Sequence, residues 1–133
     1  MFSMMTDEVR ADLEKLKGTS ISSAGGSTGS AAPDVIIVGL ETHICVTQTT
    51  LDLLESGYRV YVIADGVSSV NPEESKVALT RLRDAGAIVT TSESVIFEIL
   101  RDAKSSGFKA INALVKDSKN DTKAALETLA KAV

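Results

Sequence analysis

Cys45, the only cysteine, stands where a run of β-branched residues gives way to helical spacing, and it is the residue best placed for covalent chemistry. A sulfur at the start of a helix faces unpaired backbone N–H groups and the positive end of the dipole, which favours the nucleophilic thiolate. By position alone a second account stands beside this one, because a lone cysteine is also often buried and packs as a small hydrophobe. His43, the one histidine, lies two residues away. On so tight a loop it has trouble reaching the sulfur in line, and loop packing accounts for it better than a role as base. No His, Cys and carboxylate residues fall at metal-ligand spacing, so no metal is expected and no other cofactor. Asp65 closes a second β-branched run and reads as holding the loop after it, Ser68 and Ser69 included, by Asx-type hydrogen bonds. Gly25-Gly26-Ser27-Thr28-Gly29 formally matches a nucleophile turn, but that motif needs a strand before it and a helix after it. Both flanks here are Gly/Ser-rich, so Ser27 is expected to be inert.

Cys45 gains its position only if strands and helices alternate, and the hydrophobic pattern predicts that they do. Val35-Ile36-Ile37-Val38 reads as a strand buried on both faces, as in parallel sheets. A helix follows over Thr47 to Ser56, with Leu51 and Leu54 on one side and Gly57 as its stop. Arg59 to Ala64 is a second strand, closed by Asp65-Gly66. Asn71 as cap, Pro72 at the first helical position and Glu73-Glu74 in the first turn start another helix, with Val77, Leu79, Leu82 and Ala85 as its apolar positions. Gly86 ends it, Ala87 to Thr90 form a third strand, and Ser92 caps a helix carrying Val95, Ile96, Ile99 and Leu100. This repeated βαβ unit implies an α/β fold with a parallel sheet and right-handed crossovers. Ligands of such sheets bind at the carboxyl ends of the strands: Gly39 to Cys45, Asp65 to Asn71 and Thr91 to Glu93.

The flanks are organised differently. Residues 1–16 read as an N-terminal segment with a helix from Asp7, capped by Thr6, with Val9, Leu13 and Leu16 as a core-facing stripe. Residues 17–33 read as a flexible Gly/Ser loop, in which four Gly and five Ser fill nine of 17 positions. Residues 34–133 form the organised portion, ending in two peripheral helices, Phe108 to about Lys116 and Asp121 to Ala132, with Asn120 as a cap rather than a glycosylation site.

The 133 residues suffice for one domain; 44% are hydrophobic and 24% charged, as in globular proteins rather than disordered or membrane chains. Fourteen Lys and Arg against 18 Asp and Glu leave a net charge of −4, and aromatic residues are only 4%. Neither a basic face nor a stacking platform for nucleic acid is expected. Glu41, Glu55, Asp65 and Glu98 interrupt every apolar run, so no membrane span is expected, and the short apolar start is not a secretion signal. With one cysteine and no internal disulfide, the expected setting is cytoplasmic.

Three segments together resemble the isochorismatase-like cysteine hydrolases, above all the isochorismatase domain-containing proteins of eukaryotes: Val35 to Val46 (VIIVGLETHICV), Thr49 to Tyr58 (TTLDLLESGY) and Val60 to Ser69 (VYVIADGVSS). The similarity continues through Ala78 to Arg83, Gly86-Ala87 and Thr91 to Glu93, and so spans roughly Val35 to Ala103. The resemblance implies a three-layer α/β/α domain with a six-stranded parallel sheet, and an Asp–Lys–Cys triad whose cysteine attacks a small amide or related substrate. Cys45 aligns with the nucleophile. Leu40–Glu41 aligns with a non-proline cis peptide that turns the backbone N–H groups of Glu41 and Cys45 into an oxyanion hole.

The family's Asp and Lys are not carried over to any residue. Both are expected upstream of Met1, since Lys15 and Lys17 lie too far along the first helix and Asp7 starts a helix rather than ending a strand. The expectation is a C-terminal portion of the family domain, truncated on its N-terminal side, with hydrolase activity impaired. The strand Val35 to Val38 would then have an open edge, which self-association into a homo-oligomer would cover. The alternative, from another class, is a non-catalytic fragment acting as an interaction or oligomerisation module. A nucleotide-binding domain is disfavoured, because no Gly-rich loop directly follows a strand.

Overall fold

The structure, a computed structural model, describes residues 2–17 and 32–130; Ser27 and nearly all of the Gly/Ser stretch lie outside them. Thr6 accepts a hydrogen bond from the N–H of Val9 at 3.3 Å and so starts α1 (Asp7–Leu16), with Asp7 and Glu8 complementing the dipole. Val9 and Leu13 pack on the core, whereas Leu16 is exposed. Strand β1 (Val35–Leu40) leads through one wide π turn, Thr42–Val46, into α2 (Thr47–Glu55). Strand β2 (Val60–Ser68), α3 (Pro72–Asp84), β3 (Ile88–Thr90) and α4 (Ser92–Leu100) follow, and α5 (Phe108–Asp117) and α6 (Lys119–Leu129) close the chain.

The strands lie side by side in the order β1-β2-β3, all parallel, which makes the fold α/β as expected. Alternation along β2 divides the core between the two faces of the sheet. Val60, Val62 and Ala64 meet Leu53 of α2 and Leu79 and Leu82 of α3 on one face; Tyr61 and Ile63 meet Val95 of α4 on the other. The described portion thus has helix, sheet and helix layers.

Several boundaries differ from the sequence expectation. β2 does not close at Asp65-Gly66 but runs to Ser68, because the ladder with β1 resumes past an irregularity. Ile37 pairs with Val62 and Gly39 with Val67, so β2 advances five residues while β1 advances two. The extra residues swing out of the ladder, and there a glycine leaves room: a Cβ at Gly66 would stand 2.9 Å from Val38 Cγ1, so a larger residue obliges that side chain to shift. Asn71 holds the cap position of α3 without a side-chain cap bond, and Val77 points to solvent. Thr91, not Ser92, caps α4 by accepting the Ser94 N–H at 3.3 Å. Asn120 lies inside α6. That helix is less peripheral than expected, since it lies against β2 and Ala130 packs on the main core.

Candidate functional site

The site is built on the segment joining β1 to α2. The peptide bond between Leu40 and Glu41 is cis. The Glu41 carbonyl accepts the N–H groups of Ile44 at 3.1 Å and Val46 at 3.2 Å, but not that of Cys45 between them. The N–H of Thr47 reaches back to the Thr42 carbonyl, and so does its hydroxyl, at 2.6 Å. Cys45 therefore sits in a wide turn rather than in regular α-helix, a local geometry that recurs at functional sites.

Two neighbouring elements hold this turn. Thr42 is fully buried, and its hydroxyl oxygen accepts from Ser75 Oγ of α3 at 3.2 Å. From the β2–α3 connection, the Val70 N–H donates to Glu41 Oε2 at 2.8 Å, and Ser69 Oγ lies 2.9 Å from His43 Nδ1. The same nitrogen is 3.9 Å from Glu41 Oε2. His43 is thus engaged in the loop, as its spacing from Cys45 suggested. The carboxylate of Glu41 had no role in the sequence reading, which singled out only its backbone. Its partner is 29 residues away, and no local pattern signals such a contact.

Cys45 is half-buried and unpaired. With Met4, Ile36, Val38, Leu40, Val46 and Thr49 it lines a cleft of about 200 Å³ at the open edge of β1. The Met4 N–H donates to Thr49 Oγ1 at 3.0 Å and fixes the N-terminal segment there. None of these lining side chains besides the thiol can exchange a proton near neutral pH.

Asp65 is buried, but its partner is not the loop after it. It accepts the N–H of Ser92 at 2.7 Å and the Ser92 hydroxyl at 2.5 Å, so it anchors the start of α4. A second, larger cleft of about 360 Å³ opens at the amino ends of the strands, among Asp34, Arg59, Tyr61 and Glu98. There Tyr61 Oη donates to Glu98 at 2.7 Å. That hydrogen bond, followed by burial, pushes the Tyr61 phenol up from its ordinary value. Among the described residues no three of His, Cys, Asp or Glu group closely enough to hold a metal ion.

Comparison with known proteins places this geometry. The isochorismatase domain matches residues 24–94. Isochorismatase family protein 1B of Dictyostelium discoideum is 47% identical over 87 residues, 65% of this chain and 42% of that protein. A solved structure named MAR1 ribonuclease, from Caenorhabditis elegans, superposes with a TM-score of 0.69 at 35% identity, covering 86% of this chain and 51% of the other. YcaC from Pseudomonas aeruginosa, solved with hexane-2,5-diol and covalent acrylamide, is 36% identical with a TM-score of 0.56, covering 62% and 42%. The chain spans about half the length, or less, of these relatives.

Proposed function

Because the chain belongs to the isochorismatase family, we propose that it carries the nucleophile portion of a hydrolase site, in which Cys45 attacks a small amide or related carbonyl substrate. The observation that carries this reading is the placement of a half-buried thiol in a cleft, on the turn directly after β1. Thiolate addition to the carbonyl carbon forms a C–S bond and places negative charge on the carbonyl oxygen. The backbone N–H groups of Glu41 and Cys45 receive that charge. Collapse breaks the C–N bond, the amine leaves with a proton, and water then hydrolyses the thioester to acid and thiol.

Both proton transfers need a group that the described residues of the cleft do not provide, since they are apolar apart from Thr49 and the thiol. Lys17 lies over the ring of Tyr58 and pairs with Glu14. With an activated ester, whose leaving group needs no proton, acylation that outruns turnover follows, because a positioned base contributes about 10² to 10⁴ in rate. A net charge of −4 favours a small-molecule substrate over a phosphate backbone.

Incubation with p-nitrophenyl acetate at neutral pH, read by intact mass and by nitrophenol release, tests this. Expected is a single acetyl adduct that Cys45→Ala removes, with nitrophenol released in proportion to protein and then stopping. An adduct that survives Cys45→Ala refutes the nucleophile, and sustained turnover dependent on Cys45 refutes the impairment.

A second reading, an association module, is favoured by the open edge of β1, where Ile36, Val38 and Leu40 stay exposed. In it, a second copy of the chain covers that edge.

A further inference from the structure

We propose that His43 is a positioning residue for Cys45, clamping the nucleophile turn to the β2–α3 connection through Ser69, with the Glu41 carboxylate as the second jaw on Val70. The inference rests on Cys45 being the nucleophile and adds a role for the one histidine.

Ser69 of this connection is buried, at 7% exposure, but the residue after it is not. Val70 is 82% exposed, so no apolar burial ties this point of the loop down. Two polar contacts do: His43 Nδ1 to Ser69 Oγ at 2.9 Å, and the Val70 N–H to Glu41 Oε2 at 2.8 Å. They flank each other, because His43 Nδ1 also lies 3.9 Å from Glu41 Oε2. Hydrogen bonds to a charged acceptor are stronger than neutral ones, so the Glu41 jaw is the tighter.

Both jaws lie on the turn that carries the thiol, Glu41 four residues before it and His43 two. Side chains two apart on a helical turn point away from one another, so His43 does not act on the sulfur directly. Its effect passes through the backbone. With His43 on Ser69, the turn keeps its orientation, and with it the dipole and the Cys45 N–H, which the Glu41 carbonyl does not take. Without it the turn gains freedom and those dipoles average out. The Ser75 to Thr42 bond holds the far side of the same turn, so the fold survives while the local orientation loosens.

Alkylation of Cys45 by iodoacetamide on the full chain, followed by mass across pH 6 to 10, gives a readout that packing alone does not move. His43→Ala and Ser69→Ala are each expected to slow alkylation at neutral pH by about fivefold, the scale of one lost hydrogen bond. The pH of half-maximal rate should rise by about 0.7 unit, the same fivefold on a logarithmic scale. The double variant should match either single one, because both break the same contact. His43→Gln, whose amide can reach Ser69, should recover most of the loss and also serves if His43→Ala does not fold. An unchanged pH profile in a folded His43→Ala or His43→Gln, Ser69→Ala double variant overturns the clamp. A wild-type thiol no faster than free cysteine overturns the nucleophile reading instead.

Discussion

Asp65 shows how a buried carboxylate is retained without catalytic work. Its oxygens take the N–H and the hydroxyl of Ser92 at the first turn of α4, where the helix dipole also favours negative charge. Removing one partner leaves a buried acceptor short of a bond, which costs about 1 to 3 kcal/mol. Ser92→Ala should therefore lower stability in urea unfolding by about 1 kcal/mol, and Asp65→Ala, which strands both Ser92 donors, by about twice that. A change of less than a few tenths in both would mean that the contact contributes nothing. That Asp65 is structural was readable from its place at the end of a β-branched run, but its partner was not. Asx-type bonding looks only a few residues along the chain, whereas Ser92 is 27 residues away. The same limit hid the Glu41 to Val70 contact. The cis Leu40–Glu41 bond came from the family resemblance, since neither residue type nor spacing encodes it.

The elements themselves were more legible. β-Branched runs, Gly57 and Gly86 as stops, and Pro72 as a start all lie on the observed β–α alternation, because each acts through local backbone preference. The errors fell where a tertiary contact outbid the local signal. β2 outran Asp65-Gly66 because pairing with Gly39 and Leu40 resumes beyond the irregularity, and Asn120 became helical when α6 formed against β2. The contact between β2 and α4 also carries a pH dependence. Tyr61 lies under Arg59, whose guanidinium carbon is 5.1 Å from the ring centroid, and donates to Glu98 of α4. Its phenol is raised above 10.0, first by the hydrogen bond to Glu98 and then by burial, with Arg59 opposing. A raised value means that folding favours the protonated phenol. The stability it adds is complete below pH 10 and is lost as pH climbs through the folded-state value. Denaturation by urea at pH 8 and then near pH 11 should show the wild type losing more stability than Tyr61→Phe. Equal losses would exclude Tyr61 as the source.

At the scale of the whole molecule, the association reading turns on the open side of β1 among the described residues. The strand alternates, with Val35 and Ile37 packed on the main core and Ile36, Val38 and Leu40 turned to a face that no described helix covers, at 47%, 61% and 67% exposure. Met4, 66% exposed, extends the patch around the edge beside the Cys45 cleft. An uncharged six-residue strand with free edge amides is a template for another strand. A second copy related by a two-fold axis would pair β1 with itself, because that symmetry apposes identical patches. The four side chains offer roughly 500 Å² per copy, so a pair buries about 1,000 Å², near the lower limit of stable interfaces. Association is therefore expected to depend on concentration rather than to be obligate. Ile36→Lys sets a cation on this face beside Asp34 and Glu98, which line the same cleft and can compensate it. Sedimentation velocity over a hundredfold range of concentration should show the wild type shifting to a dimer or larger species and Ile36→Lys remaining a monomer with unchanged circular dichroism. Because the edge borders Cys45, the wild-type thiol should also alkylate more slowly at high concentration, an effect absent in Ile36→Lys. A wild-type chain that stays monomeric throughout, with a high unfolding midpoint, would show that β1 tolerates its open edge and that the association reading is wrong.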